Sequence, residues 1–341
     1  MDWFLHIWRK QRFKALTIIT LLYLLVVDIL LLGDALFPQR EGILALADIF
    51  APYLFIPLLF LLPFLFWRFT SVLRVVFVLG LLLFTLWFPP RFSGPASDPT
   101  VGAQQVRALT WNFRGRNKRD GYLRNIINLQ EPNIVALQEA DANGLDVATD
   151  LQQKYPYHLY QQDEVPPGEA LLSQYPIVAH GILQASDGSR TVWDIPRVMW
   201  ARLDLGKGKT LLVVNAHPIS AIQTVYNCFY CPQRRDNQIK ELNTFLQPLL
   251  KQHEHLLLLG DMNTSEREMA YQDLVTGLQD TQLAVGTGVG NSWGWRLLNQ
   301  VWAVLRIDYI FVSPNVKPLQ LDTDCTARGS QHCILIGTFS L

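Results

Sequence analysis

The sequence has no excess of basic charge: 29 Lys and Arg are matched by 29 Asp and Glu over 341 residues. From Asp98 onward the balance tips the other way, with 21 basic residues against 24 acidic ones, a net of −3. A protein that lives by gripping a phosphate backbone carries a basic footprint. Its absence makes nucleic acid the less favoured partner and leaves room only for a nuclease that relies on a few placed arginines. Cysteine is scarce as well: four residues, none before Cys228. The two pairs lie far apart in sequence, which argues against a shared zinc site. An even number points to disulfides, and Cys228–Cys231 with Cys325–Cys333 is the favoured choice among three pairings. There is no internal repeat and no low-complexity stretch beyond a linker over 91–103, so repeat architectures are excluded.

What the first 90 residues do have is long apolar runs. A membrane-crossing helix takes roughly 20 apolar residues, and three runs approach or exceed that length: 15–36, 43–67 and 72–88. A cleaved signal peptide would have a shorter apolar core and no further runs behind it. The expectation is an all-α membrane domain with three transmembrane helices over 1–90. Arg9, Lys10, Arg12 and Lys14 precede the first run, and Arg68 and Arg74 lie between the second and third. Basic loops stay in the cytoplasm, so the N-terminus is expected inside and residues 104–341 outside, with the lipid bilayer as a partner. Asp28, Asp34 and Asp48 fall near the outer helix ends and are expected to be solvated.

From Val106 the chain alternates short apolar runs with turn signals, and helical periodicity occupies some of the gaps, notably Gln233–Gln252. That pattern predicts a mixed α/β layered domain. Nearly every core strand shares one habit, ending in a polar residue of the same chemical kind. Val106–Trp111 runs into Asn112 and Arg114, and Ile134–Gln138 ends at Glu139. Leu211–Val214 leads to Asn215 and His217, and Leu256–Leu259 to Asp261 and Asn263. Asp308 lies inside Arg306–Val312, and Ser330-Gln331-His332 opens the last strand. Any one of these is an ordinary cap or turn residue. Six such positions at strand ends are read as a phosphate site, because carboxylates bind hard metals or accept protons while amides donate to phosphoryl oxygens.

The strings Leu109-Thr110-Trp111-Asn112, Ile134-Val135-Ala136-Leu137-Gln138-Glu139, Asn215-Ala216-His217, Gly260-Asp261-Met262-Asn263, Arg306-Ile307-Asp308-Tyr309 and Ser330-Gln331-His332 resemble the endonuclease/exonuclease/phosphatase superfamily, in its order. The resemblance covers about Val106 to Leu341 and leaves the apolar runs outside. It implies a four-layer α/β sandwich of two packed mixed sheets flanked by helices, and a metal-dependent phosphoric ester hydrolase using Mg²⁺, with Mn²⁺ possible. It implies that Glu139 is the main metal ligand, with Asn112 and Gln331 beside it. Asp261 would activate water, and Asn263 would hold the phosphate. His217 and His332 would stabilise phosphoryl charge, with Asp308 orienting His332. Asn215 and Arg114 would bind substrate. In the last motif the family usually has Ser-Asp-His, and Gln331 replaces the acid with an uncharged oxygen ligand.

Two apolar segments flank these motifs, Val225–Cys231 and Ser292–Leu305, and both carry Trp or Tyr suited to the headgroup region. With the non-basic domain and the short linker, they direct the expectation to a lipid phosphate ester or diphosphate (a phospholipid or polyprenyl diphosphate). An extracytoplasmic nuclease, using Arg114, Arg116, Lys118 and Arg119, is the alternative, and a non-catalytic binding domain is a third. No protein partner is inferable.

Overall fold

A computed structural model describes residues 2–66, 71–89, 102–113, 120–140, 151–161, 168–183, 197–222, 229–298, 300–326 and 329–341. The chain divides into two compact units, essentially Met1–Pro90 and Arg91–Leu341.

In the first unit α1 spans Asp2–Leu36, and its Gln11–Leu36 stretch of 26 residues contains an 18-residue window with a mean hydropathy of 2.7. Thr17 and Thr20 return their hydroxyls to the Phe13 and Leu16 carbonyls, so neither is left unsatisfied in an apolar helix. The three-span expectation is corrected here: among the described residues α1 is the one helix long and apolar enough to cross a membrane. The second run forms α2 (Gly42–Ile49) and a 3₁₀ segment (Ala51–Phe64), bent by 63° at their junction. Pro52, in the first turn of the 3₁₀ segment, supplies no N–H to carry the α-helix through the junction, and Pro57 and Pro63 further along supply none either. The Leu54 carbonyl, which would pair with residue 57, instead accepts the Tyr23 hydroxyl at 2.7 Å. The third run, α3 (Ser71–Trp87), has 17 residues, about 25 Å, short of the ~30 Å hydrocarbon core. Asp28 is not simply solvated either, since it accepts the Trp87 indole N–H at 2.8 Å.

The second unit is built on two six-stranded mixed sheets. The first contains β1 (Gln105–Asn112), β2 (Ile134–Ala140), β3 (Tyr157–Gln161), β4 (Gly168–Ser173), β13 (Lys317–Asp324) and β14 (Ile334–Ser340), in the order β13-β14-β1-β2-β4-β3. The second contains β5 (Ile177–Ile182), β6 (Arg197–Gly206), β7 (Lys209–His217), β8 (Leu256–Asp261), β9 (Gln279–Asp280) and β12 (Asp308–Val312), in the order β5-β6-β7-β8-β12-β9. A separate ribbon pairs β10 (Trp293–Leu297) with β11 (Gln300–Leu305).

Period-2 alternation explains why the strands read as continuous apolar runs. Leu257 and Leu259 of β8 enter the core between the sheets, with Ala108, Ala136, Val213 and Ile310. Leu256 and Leu258 face outward onto Ile239, Leu242 and Leu246 of a long helix (Gln233–Lys251). On the far side Leu109, Val135 and Leu137 pack against Leu123 and Ile127 of α4 (Asp120–Gln130). Helix α4, the two sheets and the Gln233–Lys251 helix (α5) make the four layers. Short helices α6 (Met269–Leu274) and α7 (Thr281–Val285) complete this unit among the described residues. The helix expected over Gly144–Lys154 falls largely outside the described residues. Cys325 and Cys333 are disulfide-bonded to each other, and Cys231 is disulfide-bonded too, while Cys228 lies outside the described residues.

Candidate active site

The site is the end of the inter-sheet core, where polar residues take over positions that are apolar further along the same strand faces. On β8 the inward series Leu257, Leu259 continues to Asp261. On β7 Leu211 and Val213 continue to Asn215 and His217. On β1 Val106 and Ala108 continue to Thr110 and Asn112. On β12 Val312 and Ile310 lead back to Asp308. All four of Asn112, His217, Asp261 and Asp308 are buried. Antiparallel pairing puts Asp308 directly opposite Asp261.

Glu139 is the exception to parity. Two residues after Leu137, it would face the α4 side, but the ladder is irregular between Leu137 and Ala140, and Glu139 has φ +50°. A bulge of this kind re-aims a side chain, and non-glycine residues hold a positive φ only under constraint. The result is a carboxylate, 27% exposed, whose Oε1 lies 3.2 Å from Asn112 Nδ2 and 3.9 Å from His217 Nε2. The Asn112 amide also donates to Asp261 Oδ2 at 2.9 Å. His217 Nε2 is 3.6 Å and His332 Nε2 3.8 Å from that same oxygen. Asp261 is therefore the hub.

Its turn is locally enforced. The Asn263 N–H donates to Asp261 Oδ1 at 2.9 Å, with Asn263 in the left-handed region at φ +49°. The Asn263 side chain donates to the Pro218 carbonyl, and its own carbonyl accepts Arg235 Nη1 at 2.9 Å. Arg235, a buried guanidinium on α5 that sequence reading did not single out, is thus a brace for this turn. Gly260 precedes Asp261 at φ +137°, where an added Cβ would come to 2.1 Å from the Ala216 carbonyl oxygen. Only glycine fits so close to β7.

His332 is held on three sides. Its Nδ1 lies 3.0 Å from Asp308 Oδ2, its N–H donates to Ser330 Oγ, and its carbonyl accepts the Trp111 indole. Ser330 in turn donates to the Asn112 carbonyl at 2.7 Å. Behind Asp308 stands Ser292, fully buried, donating to Asp308 Oδ2 at 2.7 Å and accepting the Asp308 N–H at 3.0 Å. Ser292 was missed in sequence because a lone serine before an apolar run carries no signal of this kind.

Burial and charge set the protonation states. Burial pushes the Asp261 carboxyl up, helped by Asp308 and opposed by His332 and the Asn112 amide, to about 7. Burial opposes a charged His332, but Asp308, Asp261 and Glu139 outweigh it and carry the imidazole up to about 9. His217 goes the other way: burial, then Arg197 and His332, hold it well below its ordinary value. The site thus pairs one charged and one neutral imidazole around a carboxyl that titrates near neutrality.

Asp261, Asp308 and His332 bring ligand atoms within 4.8 Å of one another. Asp308 is already engaged by His332 and Ser292, and a charged imidazole repels a cation, so this trio suits a hydrogen-bonded relay. The better cation position is Glu139, a partly exposed carboxylate beside the Asn112 amide and the Asp261 carboxyl. Oxygen donors of that kind fit a hard divalent ion that keeps several waters. Gln331 is half-buried, and its carbonyl accepts the Gly294 N–H at 3.1 Å. Asn215 sits deeper, bonded to the Leu137 and Ala170 carbonyls and to Gln138 across the two sheets. Arg114, Arg116, Lys118 and Arg119 lie outside the described residues.

The profile of the Endonuclease/Exonuclease/phosphatase family matches residues 109–332. Among solved structures, a truncated Caenorhabditis elegans TDP2 is 17% identical with a TM-score of 0.55, covering 72% of this chain and all of its own. A Bacteroides thetaiotaomicron mannosyl-6-phosphatase is 18% identical (TM-score 0.54), covering 69% of this chain and 100% of its own. A Neisseria 3′ phosphatase bound to a product DNA hairpin is 20% identical (TM-score 0.56), covering 68% and 98%. At these identities the likeness is one of fold. No curated protein sequence matches the chain.

Proposed function

Because this chain belongs to the endonuclease/exonuclease/phosphatase family, we propose that it is a membrane-anchored, divalent-metal-dependent phosphoesterase acting on a lipid phosphate ester or diphosphate at the extracytoplasmic surface. The observation that carries the chemistry is the convergence of Asn112, His217 and His332 on one Asp261 oxygen. Glu139, with Asn112 and Gln331, would hold Mg²⁺ or Mn²⁺. When bound, the ion supplies charge neutralisation at the phosphate.

The chain's own residues do the rest. Asp261, poised near neutrality, accepts the proton of the attacking water. The His332 imidazolium, fixed by Asp308, and the Nε2 side of His217 face the phosphoryl oxygens as charge builds on them. Water adds to phosphorus as the ester or anhydride oxygen leaves, and His332 can return a proton to that leaving oxygen. Asn263 would orient the phosphate from the turn it shares with Asp261.

Support for a lipid substrate comes from the apolar α1, the net negative charge of 98–341, and the exposed aromatics of the β10–β11 ribbon. The nuclease reading keeps one observation in its favour, a DNA-bound neighbour of the same fold. A substrate panel separates them: full-length protein with Mg²⁺ against phospholipids, sphingomyelin, polyprenyl diphosphate and plasmid DNA. Asp261→Ala is the blank and should lose about 10²–10⁴-fold in turnover. DNA cleavage outrunning lipid hydrolysis would overturn the lipid reading. Turnover equal to the blank on every substrate would favour a binding domain.

A further inference from the structure

We propose that the outer face of the β10–β11 ribbon is a bilayer-docking surface that seats the catalytic domain on lipid. Trp295 and Trp302 are directly opposed across the ribbon, and Leu297 shares their face two residues on. These three are 62%, 60% and 52% exposed, and Leu298 at the tip is 85% exposed. The opposite face is the one that packs: Val301 is buried, and Arg296 donates to the Gly329 carbonyl at 3.0 Å. The outer face is therefore an apolar surface left exposed among the described residues.

The ribbon is also rigidly wired to the site. Ser292, immediately before β10, donates to Asp308, and Trp293 forms a bridge with His332. The Gly294 N–H donates to the Gln331 carbonyl, and the Val301 N–H to the Cys325 carbonyl. Cys325 is disulfide-bonded to Cys333, the residue after His332. Whatever covers Trp295 and Trp302 is thereby brought beside the phosphate chemistry.

Three observations select a bilayer as the occupant. Paired Trp with neighbouring Leu is the side-chain set that favours the headgroup–acyl boundary. From Thr281 to Leu305 the sequence has no Asp or Glu and a single Arg, so nothing on the ribbon repels an anionic lipid surface. The same chain carries a 26-residue apolar stretch in α1, which keeps a bilayer at high effective concentration. This inference rests on the reading of the chain as membrane-anchored.

The test uses full-length protein reconstituted in phosphatidylcholine–phosphatidylglycerol liposomes. Leu298→Cys carries a polarity-sensitive fluorophore, and Lys207→Cys, in the exposed β6–β7 turn, is the reference. The Leu298 label should be shielded from aqueous iodide at least fivefold relative to Lys207 and quenched by lipid-borne nitroxide. Trp295→Ser with Trp302→Ser should abolish that shielding. The same pair should cut hydrolysis of bilayer phospholipid at least tenfold while leaving a soluble aryl phosphodiester unaffected. Equal iodide access at the two positions overturns docking. So does shielding that rises with protein-to-lipid ratio, which would assign the face to a second copy. Shielding without any lipid hydrolysis keeps docking and removes the lipid-substrate reading, and carbonate extraction reports on the α1 anchor separately.

Discussion

His217 is fully enclosed, near two carboxylates yet beyond hydrogen-bond distance of both, and it is held neutral by burial, Arg197 and His332. Its folded pKa is below that of the unfolded chain. Below about pH 6.5 the unfolded state binds a proton here that the folded state refuses, so this group makes stability fall as pH drops. Asp261, raised to about 7, has the opposite sign: the folded state binds the extra proton, and that contribution is lost as pH rises towards 7. The two are separable by substitution. With chelator present, the melting temperature of His217→Gln should drop less than wild type between pH 7.5 and 5.5, and an equal drop would show that His217 is not the acid-sensitive group. Most members of the site were legible because each stands at the end of an apolar run. Glu139 was legible as the end of its strand, but its direction was not: simple alternation points it at α4, and the bulge with φ +50° that brings it round leaves no mark in the residue string. The supporting Ser292 and Arg235 were not legible, since their roles are set by partners distant in sequence.

The elements divide along the same line between local and distant determinants. The Leu256–Leu259 run reads as a strand buried on both faces because it is one, with alternate leucines in the inter-sheet core and against α5. The α5 helix was expected over Gln233–Gln252 and runs Gln233–Lys251. Ser292–Leu305 was read as an apolar loop and is a ribbon. Its tip lacks the Asn-Gly or Asp-Gly signal of a tight hairpin, and Leu298 takes the positive φ itself, at +52°. The second apolar run is a bent pair and not one straight helix, because Pro52, Pro57 and Pro63 interrupt the backbone ladder, which hydropathy does not register. Gly260 ties an element to the chemistry. Alanine there meets the Ala216 carbonyl and adopts a backbone angle that L-residues avoid, so β8 must move away from β7 just where it presents Asp261. We expect Gly260→Ala to cost about 1–3 kcal/mol from backbone strain alone and to reduce turnover more than it reduces stability at assay temperature. Chemical denaturation with parallel kinetics checks this, and retained turnover in a destabilised variant would show that the close approach serves packing only.

At the scale of the whole chain, the proposed membrane anchoring makes the side on which the phosphate chemistry would occur depend on how many times the first 90 residues cross. Arg9, Lys10, Arg12 and Lys14 lie at the start of α1, and no charge follows until Asp28. That asymmetry favours an N-terminus in the cytoplasm. One crossing, by α1, would then place residues after Pro90 outside. Two crossings would return the catalytic domain to the cytoplasm. The Cys325–Cys333 disulfide discriminates between these, because such bonds persist in oxidising compartments and are rare in the cytosol. Odd parity satisfies both the basic flank and the disulfide, whereas even parity contradicts the second. A reporter that is active only after export, fused behind Leu341, should therefore be active, and the same reporter fused behind Phe37 should be active as well, through α1 alone. Activity behind Phe37 with silence behind Leu341 would mean an even count and a cytoplasmic site. Lipid-linked substrates exposed only on the outer leaflet would then be out of reach.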